Sequence, residues 1–177
     1  MAIDRLETWS DMNKPESEFG LNVEAADTQL ARVLEFAPRA DSKLSLALGV
    51  GTAMLGVLAS RAPAFAKLQW PQLIVLMPIV LIAISLFYVY RGLFPRLEGG
   101  QNSLIYFGQI ADLTESTFIK DWAAFTDESY VADVLAQVHR NSEIVAMKYN
   151  ATRQSYVFLA WSIVPWAISF AFLIATA

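Results

Sequence analysis

Apolar and polar positions in this chain fall into long blocks. Residues 44–60, 73–90 and 155–177 form runs of 17, 18 and 23 residues that contain no Asp, Glu, Lys or Arg. At a rise of about 1.5 Å per residue, a helix needs about 20 apolar residues to cross the hydrocarbon core, with about 17 to 25 as the working range. All three runs qualify, the first at the lower limit. The pattern therefore predicts an all-α membrane protein with three transmembrane helices. Helical cytoplasmic segments are expected at the N-terminus and between spans two and three. The resulting division is a disordered N-terminus over 1–21, a cytoplasmic helix over 22–43, spans over 44–60, 73–90 and 155–177, an external loop over 61–72, and a cytoplasmic helical sensor segment over 91–154.

Within the polar blocks the period is helical. Val23, Ala26, Leu30, Val33, Leu34 and Ala37 recur at helical spacing, with Glu24, Asp27, Arg32 and Glu35 opposite them. This helix is expected to pack against the other cytoplasmic segment. Pro38 is expected to bend or break it just before the first span. Residues 104–108 are apolar and short, fitting a strand or a helical turn. Thr114 is placed to cap a helix carrying Phe118, Ile119, Trp122 and Phe125, and Thr126 or Asp127 to cap the next. That next helix bears Val131, Val134, Leu135, Val138, Ser142, Val145 and Tyr149 along one stripe. No Gly or Pro separates it from the third span, so residues 128–177 are free to form one rod of about 75 Å.

In the first span Ala47/Gly51, Thr52/Gly56 and Gly56/Ser60 are small residues four apart, a spacing that lets helix backbones approach in lipid. It serves packing within one subunit or self-association equally well. Trp70 and Tyr90 mark the interfaces of the second span. Pro78 and Pro165 fall inside spans, where prolines are ordinary.

Charge adds the orientation. Only Arg61 and Lys67 lie in the loop 61–72, and nothing charged follows Arg153. The bases beside the spans (Arg39, Lys43, Arg91, Arg96, Lys148 and Arg153) put the N-terminus and the middle segment in the cytoplasm, and the C-terminus outside. The first 43 residues carry nine acids against five bases, which argues against nucleic acid as a partner. The absence of cysteine removes disulfides and thiolate chemistry. No apolar stretch suited to a signal peptide precedes residue 44.

Catalytic chemistry finds no foothold. His139 is the sole histidine, and phosphate-binding loops, dinucleotide fingerprints and zincin motifs are missing. No ionisable residue lies within a span, which speaks against a proton relay or an ion-coupled transporter. The expectation is a non-enzyme without cofactor or metal. Two polar clusters stand out: Arg39 to Lys43 at the mouth of the first span, and Gln137, His139, Arg140, Asn141, Glu143 and Lys148 before the third. They read either as headgroup-seeking and surface residues or as groups converging on a small anion. Asp41 favours the second reading, because a carboxylate beside anionic headgroups is unfavourable without a partner.

These clusters carry a resemblance. Ala40-Asp41-Ser42-Lys43-Leu44-Ser45 leads into Leu48-Gly49-Val50. Ser103-Leu104-Ile105-Tyr106-Phe107-Gly108-Gln109-Ile110-Ala111 follows the second span. Gln137-Val138-His139-Arg140-Asn141-Ser142-Glu143-Ile144, then Lys148-Tyr149, precede the third. In order and in position relative to three spans, this resembles the transmembrane effectors of Pycsar antiphage systems, which are encoded beside a pyrimidine nucleotide cyclase. The resemblance covers about residues 24–177. It implies an effector activated by cyclic CMP or cyclic UMP that disrupts the inner membrane and so aborts infection. It also implies a ligand near Asp41, Lys43, Tyr106, His139, Asn141 and Lys148. Lys43 or Lys148 would meet the phosphate, Tyr106 would stack on the base, and Asn141 or His139 would read its edge. Membrane lipid and further copies of the chain are the other expected partners, since one three-span subunit encloses no pore. The competing readings are a constitutive membrane scaffold that docks a cytoplasmic protein, and a holin-like pore former.

Overall fold

The computed structural model describes residues 23–61, 70–94 and 102–175. The expectations of disorder over 1–21 and of an external loop over 61–72 lie outside these residues wholly or for the most part. So does the interfacial role of the Trp70 side chain. No strand occurs among the described residues, and the order of elements is α1 (Val23–Arg61), a 3-10 helix (Trp70–Val75), α2 (Leu76–Leu93), α3 (Phe107–Asp112), α4 (Glu115–Ala123) and α5 (Asp127–Ala175). Three of these helices are long and apolar enough to cross a membrane. The chain is a multi-pass, all-α membrane protein.

Two of them are longer than a bilayer. α1 has 39 residues and α5 has 49, about 59 and 74 Å at 1.5 Å per residue. Each combines a polar stalk half with an apolar half, so the rod read from the sequence before the third span is real. The expected break at Pro38 does not occur. α1 runs unbroken through this proline, which is exposed, so the Leu34 carbonyl it deprives of a donor lies on an open side of the helix. The caps follow the sequence. Thr114 accepts from the Thr117 amide at 3.3 Å, and Thr126 accepts from the Ser129 amide at 3.2 Å, giving α4 and α5 their starts.

Polar and apolar positions are inverted in the membrane half. Ser85, Ser155, Ser162 and Ser169 are wholly buried between helices, whereas Leu46, Val80, Phe87 and Val164 are more than half exposed on the outside. In lipid this is the favourable arrangement, because hydrocarbon solvates the outer apolar faces and interhelical contacts satisfy the inner hydroxyls. Ser85 Oγ meets both the carbonyl and the Oγ of Ser155 at 2.9 Å, and the Trp166 indole donates to the Met54 carbonyl at 3.0 Å. Together with the Tyr156–Lys43 and Ser169–Ile74 contacts, they make α1 parallel to α5 and α2 antiparallel to both.

α5 is the common partner, and its seam has a regular composition. Val131, Val138, Val145, Thr152, Leu159, Trp166 and Leu173 lie seven apart. Val134, Asn141, Lys148, Ser155, Ser162 and Ser169 form a second series, also seven apart. All of them are buried or half-buried. A repeat of 3.5 residues keeps one seam facing its partners along a long helix. The stripe expected from a 3.6-residue period drifts off this seam: Leu135 and Ser142 are exposed, and Asn141 and Lys148 take the inward places.

Candidate ligand site at the mouth of the bundle

The stalk is closed at its far end by Ala26, Val131 and Val134, with Val23, Leu30, Ile105, Tyr130 and Val138 packed around them. The N-terminal helix and the polar half of α5 therefore pack together as expected. Tyr130 donates its hydroxyl to Asp27 at 2.9 Å. That bond, helped by burial and by the carboxylate's charge, raises the Tyr130 pKa above its ordinary value. The phenol therefore stays protonated, and able to donate, throughout the physiological range.

Below this end a turn is pinned to α5. Ser103 Oγ donates to Asp133 at 3.0 Å and accepts from the amides of Ile105 and Tyr106 and from Gln137 Nε2, at 3.2, 2.9 and 3.2 Å. Asp133 also accepts from the Leu104 amide at 3.0 Å. Gln137 is buried, and each of its polar neighbours is satisfied by another. The 104–108 segment is thus a turn entering α3, not a strand. Asp133 gave no sign of this role in the sequence, because nothing local links it to a serine 30 residues earlier.

At the mouth of the bundle, where the polar halves meet the apolar runs, Lys148 forms an ion pair with Asp41 at 2.5 Å. The lysine side chain is 16% exposed and the carboxylate 40%. Lys43, two residues on, points elsewhere: its ammonium lies 5.3 Å from the centre of the Tyr149 ring, and its carbonyl accepts from the Tyr156 hydroxyl at 3.1 Å. Directly beneath, Gly92 of α2 faces Leu44 and Ala151. A Cβ at residue 92 would lie 2.6 Å from Leu44 Cδ1 and 3.0 Å from Ala151 Cβ, so three helices touch here at closest approach.

The six residues expected to surround a ligand fall into separate places. Asp41 and Lys148 are joined, and Lys43 lies beside them on the outer side of the junction. Asn141 shares the seam with Lys148, about 10 Å further up the stalk by helical rise. Its amide donates to the Gln137 carbonyl at 2.8 Å. Tyr106 sits in the pinned turn with its ring 4.8 Å from that of Phe107. His139 stands on the exposed side of α5, away from the seam. Among the described residues no group of three His, Asp or Glu is placed to hold a metal ion.

The residues that build the three spans, the stalk and the mouth fall within the range of a known protein family. The family model described as the Pycsar effector protein domain matches residues 25–175. The chain belongs to the Pycsar effector family. It is an antiphage defence effector in the broad sense that membership carries. Neither curated proteins nor solved structures provide a match. The matched span opens in the first turn of α1 and closes at the last residue of α5, so it takes in both the stalk and the spans of this Pycsar effector.

Proposed function

We propose that this chain senses a cyclic pyrimidine nucleotide, cyclic CMP or cyclic UMP, through its stalk and then disrupts the bacterial inner membrane, so that an infected cell dies or stops growing before phage matures. The observation that carries this reading is the Asp41–Lys148 ion pair, which joins two helices that each run unbroken from stalk into span. A nucleotide phosphate is an alternative partner for Lys148. Taking it requires release of Asp41, and so loosens α1 from α5 where both enter the bilayer. Asn141, about 10 Å away on the same seam, is within reach of the base of the same molecule. The resulting shift is limited by the difference in the ligand's affinity for the joined and parted states.

The stalk is placed in the cytoplasm, with the C-terminus in the periplasm, and the ligand is bound and not turned over. Several copies act together, because one three-span subunit encloses no channel. Gly49, Ala53, Gly56 and Ser60 support this, as one exposed small-residue face of α1.

The test is dye leakage and depolarisation in cells that co-express the protein with an active or inactive pyrimidine cyclase. Leakage is expected only with active cyclase, and Lys148→Ala is expected to abolish it while membrane insertion persists. Leakage independent of cyclase favours a constitutive pore former. No leakage under any condition favours a scaffold.

A further inference from the structure

Two lysines flank the mouth of the bundle, and the fold gives them different surroundings. Lys148 turns inward to Asp41, while Lys43 is exposed and lies over Tyr149. The face of α5 next to Lys43 carries Tyr149, Arg153 and Tyr156, spaced four and three apart and therefore on one side of the helix. Tyr149 holds the Lys43 ammonium and Tyr156 holds its carbonyl, so Arg153, which is exposed between them, projects on the same side as Lys43. The contact of Gly92 with Leu44 and Ala151 sets Arg91 at this level too. None of Lys43, Arg91 and Arg153 forms an ion pair among the described residues, and Asp41, the acid at this depth, is engaged by Lys148.

We infer that Lys43, Arg153, Tyr149 and Tyr156 form a binding site for the phosphate headgroup of an anionic phospholipid. The depth is that of a headgroup, since the uncharged runs begin at residues 44 and 155 and end at residue 90. Two bases supply charge complementary to a phosphodiester. Two tyrosines, apolar in the ring and polar at the tip, line the boundary between tail and headgroup. Bases contributed by two adjoining spans where they leave the bilayer attract acidic headgroups. The nucleotide proposed above meets the inward Lys148, so the two phosphates have separate places. The lipid also holds Lys43 close to α5, bracing the junction that the nucleotide must open.

The full-length protein is reconstituted in nanodiscs of equal phosphatidylcholine and phosphatidylglycerol, extracted into mild detergent, and its retained lipids are counted by native mass spectrometry. A base near an acidic headgroup changes affinity about fivefold. Wild type is expected to retain phosphatidylglycerol over phosphatidylcholine by at least that factor. Lys43→Gln and Arg153→Gln should each reduce the preference, and the pair should bring it near unity, with helical content unchanged by circular dichroism. No preference in wild type, or an undiminished preference in the double variant, overturns the site. Displacement of the lipid by millimolar inorganic phosphate or cyclic CMP also overturns it, by making the same residues a free-anion site.

Discussion

Lys148 and Asp41 form an ion pair in which the carboxylate keeps 40% of its surface open while the lysine keeps 16%. Asp41 is thus the partner that can leave. An ion pair of this partly exposed kind contributes on the order of 1 kcal/mol. If a nucleotide phosphate competes with Asp41, then Asp41→Asn removes the competing charge and leaves a neutral acceptor in its place. Half-maximal leakage should then need about fivefold less cyclic nucleotide. An unchanged dose response, measured by titrating cyclase expression, would mean that Asp41 does not restrain Lys148. In the sequence Asp41 stood out as a carboxylate out of place beside headgroups. Its partner was one of several nearby cations, and only the parallel pairing of α1 with α5 selects Lys148.

At the scale of elements, the three long helices come into close contact at Gly92. Its missing side chain admits Leu44 from α1 and Ala151 from α5. Gly92→Ala places a methyl group into both contacts, and overpacking of this kind costs about 1 to 3 kcal/mol. The melting temperature of the detergent-solubilised protein should fall accordingly. Gly56→Ala is the matched control, since a Cβ there meets nothing within 4 Å and the variant should melt like wild type. An equal loss in both would show that the three-helix contact does not set the effect. The small residues of α1 looked alike in the sequence, and the fold divides them. Ala47 and Gly51 face inward, with Gly51 against Leu86 and Ile82 of α2, whereas Gly49 and Gly56 face outward into open space.

For the whole molecule, that outward face is where the proposed self-association of a narrow three-helix subunit is tested. Gly56→Leu adds a bulky apolar group to a surface already facing lipid, so the fold and melting temperature should hold. If subunits associate through this face, crosslinked oligomers and cyclase-dependent leakage should both be lost. Retention of both would move assembly to another face. The stalk gives the molecule its lever: α1 and α5 leave the apolar runs side by side and remain packed as far as Ala26 and Val131. Between stalk and span the backbone of both helices is continuous, with no loop between them.

The sequence by itself determined the three spans, their odd number, the helical class and the long uninterrupted rod, because run length, absence of charge and missing helix breakers are local properties. Family membership was legible for a related reason: its short motifs keep their order relative to the spans. Tertiary structure decided which residues face one another. A 3.5-residue seam has meaning only against partner helices, so its polar members Asn141 and Lys148 were hidden beneath a 3.6-residue apolar stripe that pointed to Ser142 and Tyr149. His139 was chemically attractive in sequence and stands outside the seam, since composition says nothing about which side of a helix is covered. Lys43 and Lys148 were interchangeable cations until packing turned one toward Asp41 and the other toward Tyr149.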